Sequence, residues 1–237
     1  VPLLSFLLLS ALGAPSPAGE LRAGVPQPPA LLEAAPTASA RTHPVVRRFL
    51  ELVARAKRFR GKVRVKVRKG EETAQMVLDL ALEKPDRTAY TILSADRPRS
   101  AEGTRIVWFG EDDVHVRTRF FEFPLSITLP LQDPRLVDLR GDDNRSLAIT
   151  RVFEQMERPE CRLGLLPPGR WQQRSVTGLW LDGPGSPRGI SHQVFWLDDV
   201  DGLPRVREMY EGDKVVYRLD VLEGTVDGAM PPDHFRP

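Results

Sequence analysis

From Lys62 to Leu82 nearly every second residue is apolar. In Lys62-Val63-Arg64-Val65-Lys66-Val67-Arg68, valine alternates with a basic residue. Across Thr73 to Glu83, Ala74, Met76, Leu78, Leu80 and Leu82 fall on one face, with Gln75, Asp79 and Glu83 on the other. Successive side chains of a strand point to opposite faces, so the pattern predicts two half-buried strands, apolar side in and charged side out. Gly70 turns the chain between them. Lys84-Pro85-Asp86 then breaks the ladder, since proline has no N–H to donate, and Arg87 to Leu93 reads as the next strand. Ile106 to Phe109, the loop Gly110-Glu111-Asp112-Asp113 and Val114 to Arg117 make a hairpin.

Alternation resumes at Phe121, Phe123, Leu125, Ile127 and Leu129, with Pro124 marking an edge strand or a bulge. Glu160 to Arg170 reads as irregular. Trp171 to Leu181, Ile190 to Leu197, Pro204 to Tyr210 and Lys214 to Leu222 supply four more strands. Gly183-Pro184-Gly185, Asp201-Gly202 and Glu211-Gly212-Asp213 are the turns between them.

Two segments carry helical spacing instead. Pro44 to Arg60 presents Val45, Val46, Phe49, Leu50, Leu52, Val53, Ala56 and Phe59 as a broad stripe, with Thr42 as N-cap and Gly61 as the stop. Ser146 to Glu157 gathers Leu147, Ile149, Val152, Phe153 and Met156, and Asp142-Asp143-Asn144 reads as its N-cap because the spacing of an EF-hand calcium loop is absent. A short amphipathic helix in an all-β run is expected to close over the sheet. The class is therefore mainly β (α+β), with about ten or eleven antiparallel strands. A sheet of that size must curl or close. With two helices available to fill it, its inner face either encloses an apolar cavity or packs into a solid core.

Length and composition set the frame. The 237 residues, 41% apolar with a net charge of +2, allow one domain of ordinary size plus appendages. Val1 to Ala14 is an apolar run of signal-peptide length without a basic n-region, so residues 1–18 are expected to be a signal peptide. Residues 19–42 are Pro/Ala-rich and read as a disordered linker, and residues 43–237 as the folded domain. Cys161 is the only cysteine, so no intrachain disulfide forms and no cysteine follows the apolar run to take a lipid anchor. The expected mature form is a soluble periplasmic monomer without a transmembrane segment.

Charge is uneven. From Arg41 to Gly70 there are twelve Lys or Arg and one acid, Glu51. This is either a patch for anionic headgroups or an acidic partner, or a solvated outer face. Nucleic acid is disfavoured by export and by the lack of stacking aromatics interleaved with the basic strand.

Catalytic signatures are missing. His43, His115, His192 and His234 lie at no metal-binding spacing, and a lone cysteine makes no thiolate cluster, so neither metal nor cofactor is expected. No nucleophile elbow, phosphate loop or dinucleotide fingerprint occurs. Asp112-Asp113 and Asp198-Asp199 sit at turns, where Asp favours the backbone geometry. The expectation is a protein that is not an enzyme.

Lys84-Pro85 after a strand, then Gly103-Thr104-Arg105-Ile106-Val107-Trp108-Phe109, resemble the periplasmic lipoprotein carrier LolA and its relatives. The passage from Phe49 to Val67 and the ending Asp227 to Phe235 are similar too. The resemblance implies a half-open curved antiparallel β-barrel with an N-terminal helix and a short lid helix. It also implies a cavity for the acyl chains of lipoproteins or related lipids, carried to the outer membrane, with an inner-membrane transporter or an outer-membrane receptor as partner. The alternative within the same superfamily is a lipid- or lipoprotein-sensing module acting through an anti-sigma factor or another envelope partner. Candidate cavity and lid residues are Val63, Val65, Val67, Met76, Leu78, Leu80, Leu82, Trp108, Leu125, Ile127, Leu147, Ile149 and Phe153. Lys84 stands where the carrier has a lid-closing arginine, and lysine lacks the planar fork of that side chain.

Overall fold

Backbone ladders follow the alternation closely. The computed structural model describes residues 40–97, 99–120, 123–142, 149–231 and 233–236. The expected signal peptide lies outside them, as does the linker up to residue 39. Eleven strands and two helices are described: α1 (Pro44–Arg55), β1 (Arg58–Lys69), β2 (Glu72–Glu83), β3 (Arg87–Ala95), β4 (Arg105–Trp108), β5 (Asp113–Phe120), β6 (Phe123–Pro130), α2 (Ile149–Glu157), β7 (Arg162–Trp171), β8 (Arg174–Asp182), β9 (His192–Asp198), β10 (Pro204–Glu211) and β11 (Lys214–Val226). They hydrogen-bond in the order β6-β5-β4-β3-β2-β1-β11-β10-β9-β8-β7, so β6 and β7 are the ends and the sheet does not close into a barrel. Consecutive strands from β1 to β6 and from β7 to β11 pair antiparallel.

Two elements differ from the sequence reading. α1 ends at Arg55 and β1 begins at Arg58, so Gly61 lies inside a strand and stops no helix. A Cβ on Gly61 would stand 2.3 Å from the Glu223 carbonyl oxygen and 2.9 Å from the Phe59 ring. The glycine is there for close approach of backbones, a role that looks identical to a helix stop in sequence. The second difference is β7, which occupies the stretch read as irregular. Pro167 and Pro168 fall where its register with β8 shifts, between Leu166 and Gly169. β7 ends the sheet, and an end strand with a bulge is where prolines are tolerated.

The described residues group into two compact units, one of residues 56–150 and 221–236, the other of residues 40–55 and 151–220. In the second unit, β8, β9 and β10 carry Leu179, Leu181, Gln193, Phe195, Arg207 and Met209 on one face by register. Both helices dock on that face. The Phe49 ring of α1 stacks on Phe195 at 6.0 Å, and Gln155 of α2 accepts a hydrogen bond from Gln193 Nε2 at 2.9 Å. Gln155 also donates to Gly183 O and Ser186 Oγ, while Val152 and Met156 are buried beside it. α2 is thus held by a satisfied buried amide as well as by apolar packing.

The opposite face of these strands holds Trp180, Val194, Trp196, Val206 and Tyr210 in one cluster with Leu166 and Trp171. Buried Glu208 ties it together, accepting from Trp196 Nε1, Tyr210 Oη and Arg218 Nη1 at 2.9–3.1 Å. Arg218 also pairs with Asp220 at 2.8 Å, so its charge is met twice in the interior.

Candidate functional site

The register of the first unit decides which side chains share a face. Val63 stands opposite Leu78, Val65 opposite Met76, and Gly61 opposite Leu80. Leu78 faces Ile92, Leu80 faces Tyr90 and Leu82 faces Thr88. Tyr90 then meets Ile106, and Thr88 meets Trp108. Val116 and Val114 continue these rows into β5, and Ile127 and Leu129 into β6. Leu125 lies opposite Thr118 on the same face. Directly opposed residues of an antiparallel pair point the same way. Val63, Val65, Val67, Met76, Leu78, Leu80, Leu82, Trp108, Leu125 and Ile127 therefore all lie on one face of six adjacent strands.

Exposure changes across that face. Val63, Val65, Val67, Leu78, Leu80, Trp108 and Val114 are buried, whereas Leu125 and Ile127 on β6 are half-buried. Phe123, two residues before Leu125 on the same strand and so on the same face, is 77% exposed. Met76 and Leu82, toward the two ends of β2, are half-buried as well, so the apolar face is closed over its centre and opens both at the end strand and at the ends of β2. Sequence reasoning had placed Phe123 in the alternation but not among the candidate site residues. Tyr90, Ile106, Val114, Val116 and Leu129 were missed as well, although their alternation was visible, because short strands do not reveal which of two faces is shared.

Four candidates are not placed on this face. Leu147 is outside the described residues, and the side chains of Ile149 and Phe153, both within α2, are not described. Lys84 sits at the turn between β2 and β3, before a cis peptide bond to Pro85. Its N–H donates to Lys57 O, and its charge, behind the hydrogen bonds from Lys57 N and Arg58 N, helps hold the Asp227 carboxyl below its ordinary value.

No protein-family profile matches the sequence, and no curated protein does. Similarity is found among solved structures. An uncharacterized conserved protein from Thermus thermophilus aligns over 83% of this chain and 93% of its own, at 13% identity and a TM-score of 0.48. The MucA/MucB complex of Pseudomonas aeruginosa aligns over 84% of this chain and 61% of the other, at 16% identity and a TM-score of 0.43. A LolA superfamily protein from Nitrosomonas europaea aligns over 85% and 99%, at 14% identity and a TM-score of 0.39.

The reverse face of the first unit is built differently. Arg58, Arg60, Lys62, Arg64, Lys66 and Arg68 line β1, and Arg87, Arg105 and Arg117 continue the charge across β3, β4 and β5. Part of this face is covered by the chain's own ending. Arg105 donates to the carbonyls of Asp233 and His234, and the Arg87 guanidinium lies 4.7 Å from the Phe235 ring centre. Between these anchors, Ala81, Ala89 and Val107 form one row and are fully buried. Small side chains there leave room for the returning segment. Burial pushes the His234 imidazole below its ordinary value, Asp79 opposes that, and Arg60 and Arg105 add to it.

Among the described residues, no group of three or more His, Cys, Asp or Glu side chains could hold a metal ion. No described helix is long and apolar enough to cross a membrane. Cys161 is buried, and burial raises its thiol above the ordinary value, which disfavours the reactive thiolate.

Proposed function

We propose that this protein binds the acyl chains of lipids or lipoproteins along the apolar face of β1 to β6, admitting them at the β6 end, and that it carries them through the periplasm toward the outer membrane. The observation that supports this is the gradient on that face: aligned apolar rows, buried in the middle, with Phe123, Leu125 and Ile127 accessible at the end strand. Exposed aromatic and aliphatic groups continuous with an interior give a chain a route inward without leaving hydrocarbon. Each buried methylene is worth roughly 0.8 kcal/mol, so a full acyl chain contributes roughly 12 kcal/mol before costs. A carrier that releases its cargo uses only part of that, and partial exposure of the binding face is one way to give some back.

Delipidated protein titrated with a fluorescent fatty acid tests the reading. The expected result is saturable binding at one site, weakened at least tenfold by Leu125→Asp or Ile127→Asp with the fold retained, because a carboxylate on an apolar wall resists burial. No binding by the wild type, or equal binding by both variants, would refute it. Transfer of a bound lipoprotein from donor to acceptor vesicles separates a carrier from a sensor, which would bind without transferring.

A further inference from the structure

The basic face of the first unit has two halves. Toward Arg58 its cations are matched: Arg58 and Arg87 both pair with Glu83, and Arg60 with Asp79, beside the returning segment of residues 233–235. Toward Arg68, which itself pairs with the exposed Glu71 at 3.6 Å, most are not. Among the described residues, no carboxylate stands within ion-pairing distance of Lys62, Arg64, Lys66 or Arg117. Lys62, Arg64 and Arg117 are exposed, and Lys66 is half-buried. Their neighbours across the ladder are Asp79, Val77, Gln75 and Arg105. The register shift between Val77 and Leu78 adds Leu93 to this face, and its side chain is 46% exposed.

We infer that this half is a docking surface for an anionic lipid bilayer. Three features favour a bilayer over other acidic partners. The free cations are spread over β1 and β5, four strand positions and so roughly 19 Å apart at ordinary strand spacing, rather than gathered in a groove. β1 is an interior strand, flanked by β2 and β11, so its backbone is engaged and offers no edge for an acidic peptide to extend. The face also has an exposed leucine beside its unpaired cations, the pairing of apolar and basic groups used at membrane interfaces. Nucleic acid fits less well: among the described residues Tyr90 and Trp108 lie on the opposite face, and the Phe109 and Phe235 rings are stacked against Arg87 in the matched half.

The test uses the full chain, in flotation with vesicles of phosphatidylcholine alone and of phosphatidylcholine with phosphatidylglycerol. The expected result is flotation with the anionic vesicles only, lost as salt is raised. Lys62→Ser/Arg64→Ser/Lys66→Ser should lower the partition coefficient on the order of a hundredfold, at about fivefold per basic residue near the surface. Leu93→Ser should lower it severalfold at every salt concentration, and Lys62→Arg/Lys66→Arg should leave it unchanged, which controls for folding. Equal flotation with neutral and anionic vesicles, wild-type behaviour of the triple serine variant, or capture by polyglutamate in place of vesicles would overturn the inference. Fluorescent fatty-acid binding in the same samples reads the proposed cargo site separately, and the triple variant should retain it.

Discussion

Gly61 shows how one residue can be read correctly as special and wrongly as to why. Its missing side chain lets β1 pass the Glu223 carbonyl, an obstacle of rigid backbone that cannot rotate away. Gly61→Ala should therefore destabilise the protein by about 1–3 kcal/mol, the range for overpacking a closed site, measured by urea denaturation. A change under about 0.5 kcal/mol would mean that the two backbones separate easily. The buried histidines give a second residue-scale expectation. His192 and His234 are both held below the ordinary 6.5, mainly by burial, which disfavours their charged form in the fold. The unfolded chain then takes up protons first as pH falls. Their contribution is complete above pH 6.5 and is lost as pH drops from there toward their depressed values. Thermal melts between pH 8 and 5 should show this decline, and His192→Phe should flatten it. An unchanged slope in that variant would assign the decline to other groups.

Among the elements, the strands with strict alternation were legible and those with interrupted alternation were not. β1 and β2 were read within a few residues because valine and leucine alternate with charges. β7 was lost because Pro167 and Pro168 mask Leu163, Leu165 and Leu166, and only the pairing with β8 shows that the prolines fall in a bulge at the end of the sheet. The end of α1 was misplaced because Ala56 and Phe59 continue a helical stripe in sequence although Phe59 already belongs to β1. The returning segment at residues 233–236 was recognised only as a similar ending, since its partners Arg87 and Arg105 are more than a hundred residues away. Arg105→Ala removes both of its carbonyl hydrogen bonds. Hydrogen exchange at residues 233–236 should quicken while β8 to β10 keep their protection, and unchanged exchange there would show that Phe235 alone holds the segment.

Over the whole molecule, the sequence separated the two faces of β1 and β2 but could not say that six strands continue one of them as a single apolar surface. That depends on register, which is set by turns and bulges and not by any one strand. Candidate site residues from β1 to β6 were legible for this reason only in part. Phe123, the most exposed member of the surface, was passed over because exposure is a property of the end of the sheet. Phe123→Ser should change stability by no more than about 0.5 kcal/mol, as for other exposed positions, yet weaken fatty-acid binding severalfold. A large loss of stability would place that ring in the core instead.

The most direct test of the account is to locate a bound chain on the protein. A fatty acid bearing a diazirine near its terminal methyl, photolysed in complex with delipidated protein, marks the side chains it touches, and peptide mass spectrometry reads them. Labels are expected within residues 63–82 and 106–129, on the residues that share the apolar face, with competition by unlabelled fatty acid. Labels concentrated in β8 to β10, or scattered without competition, would contradict it.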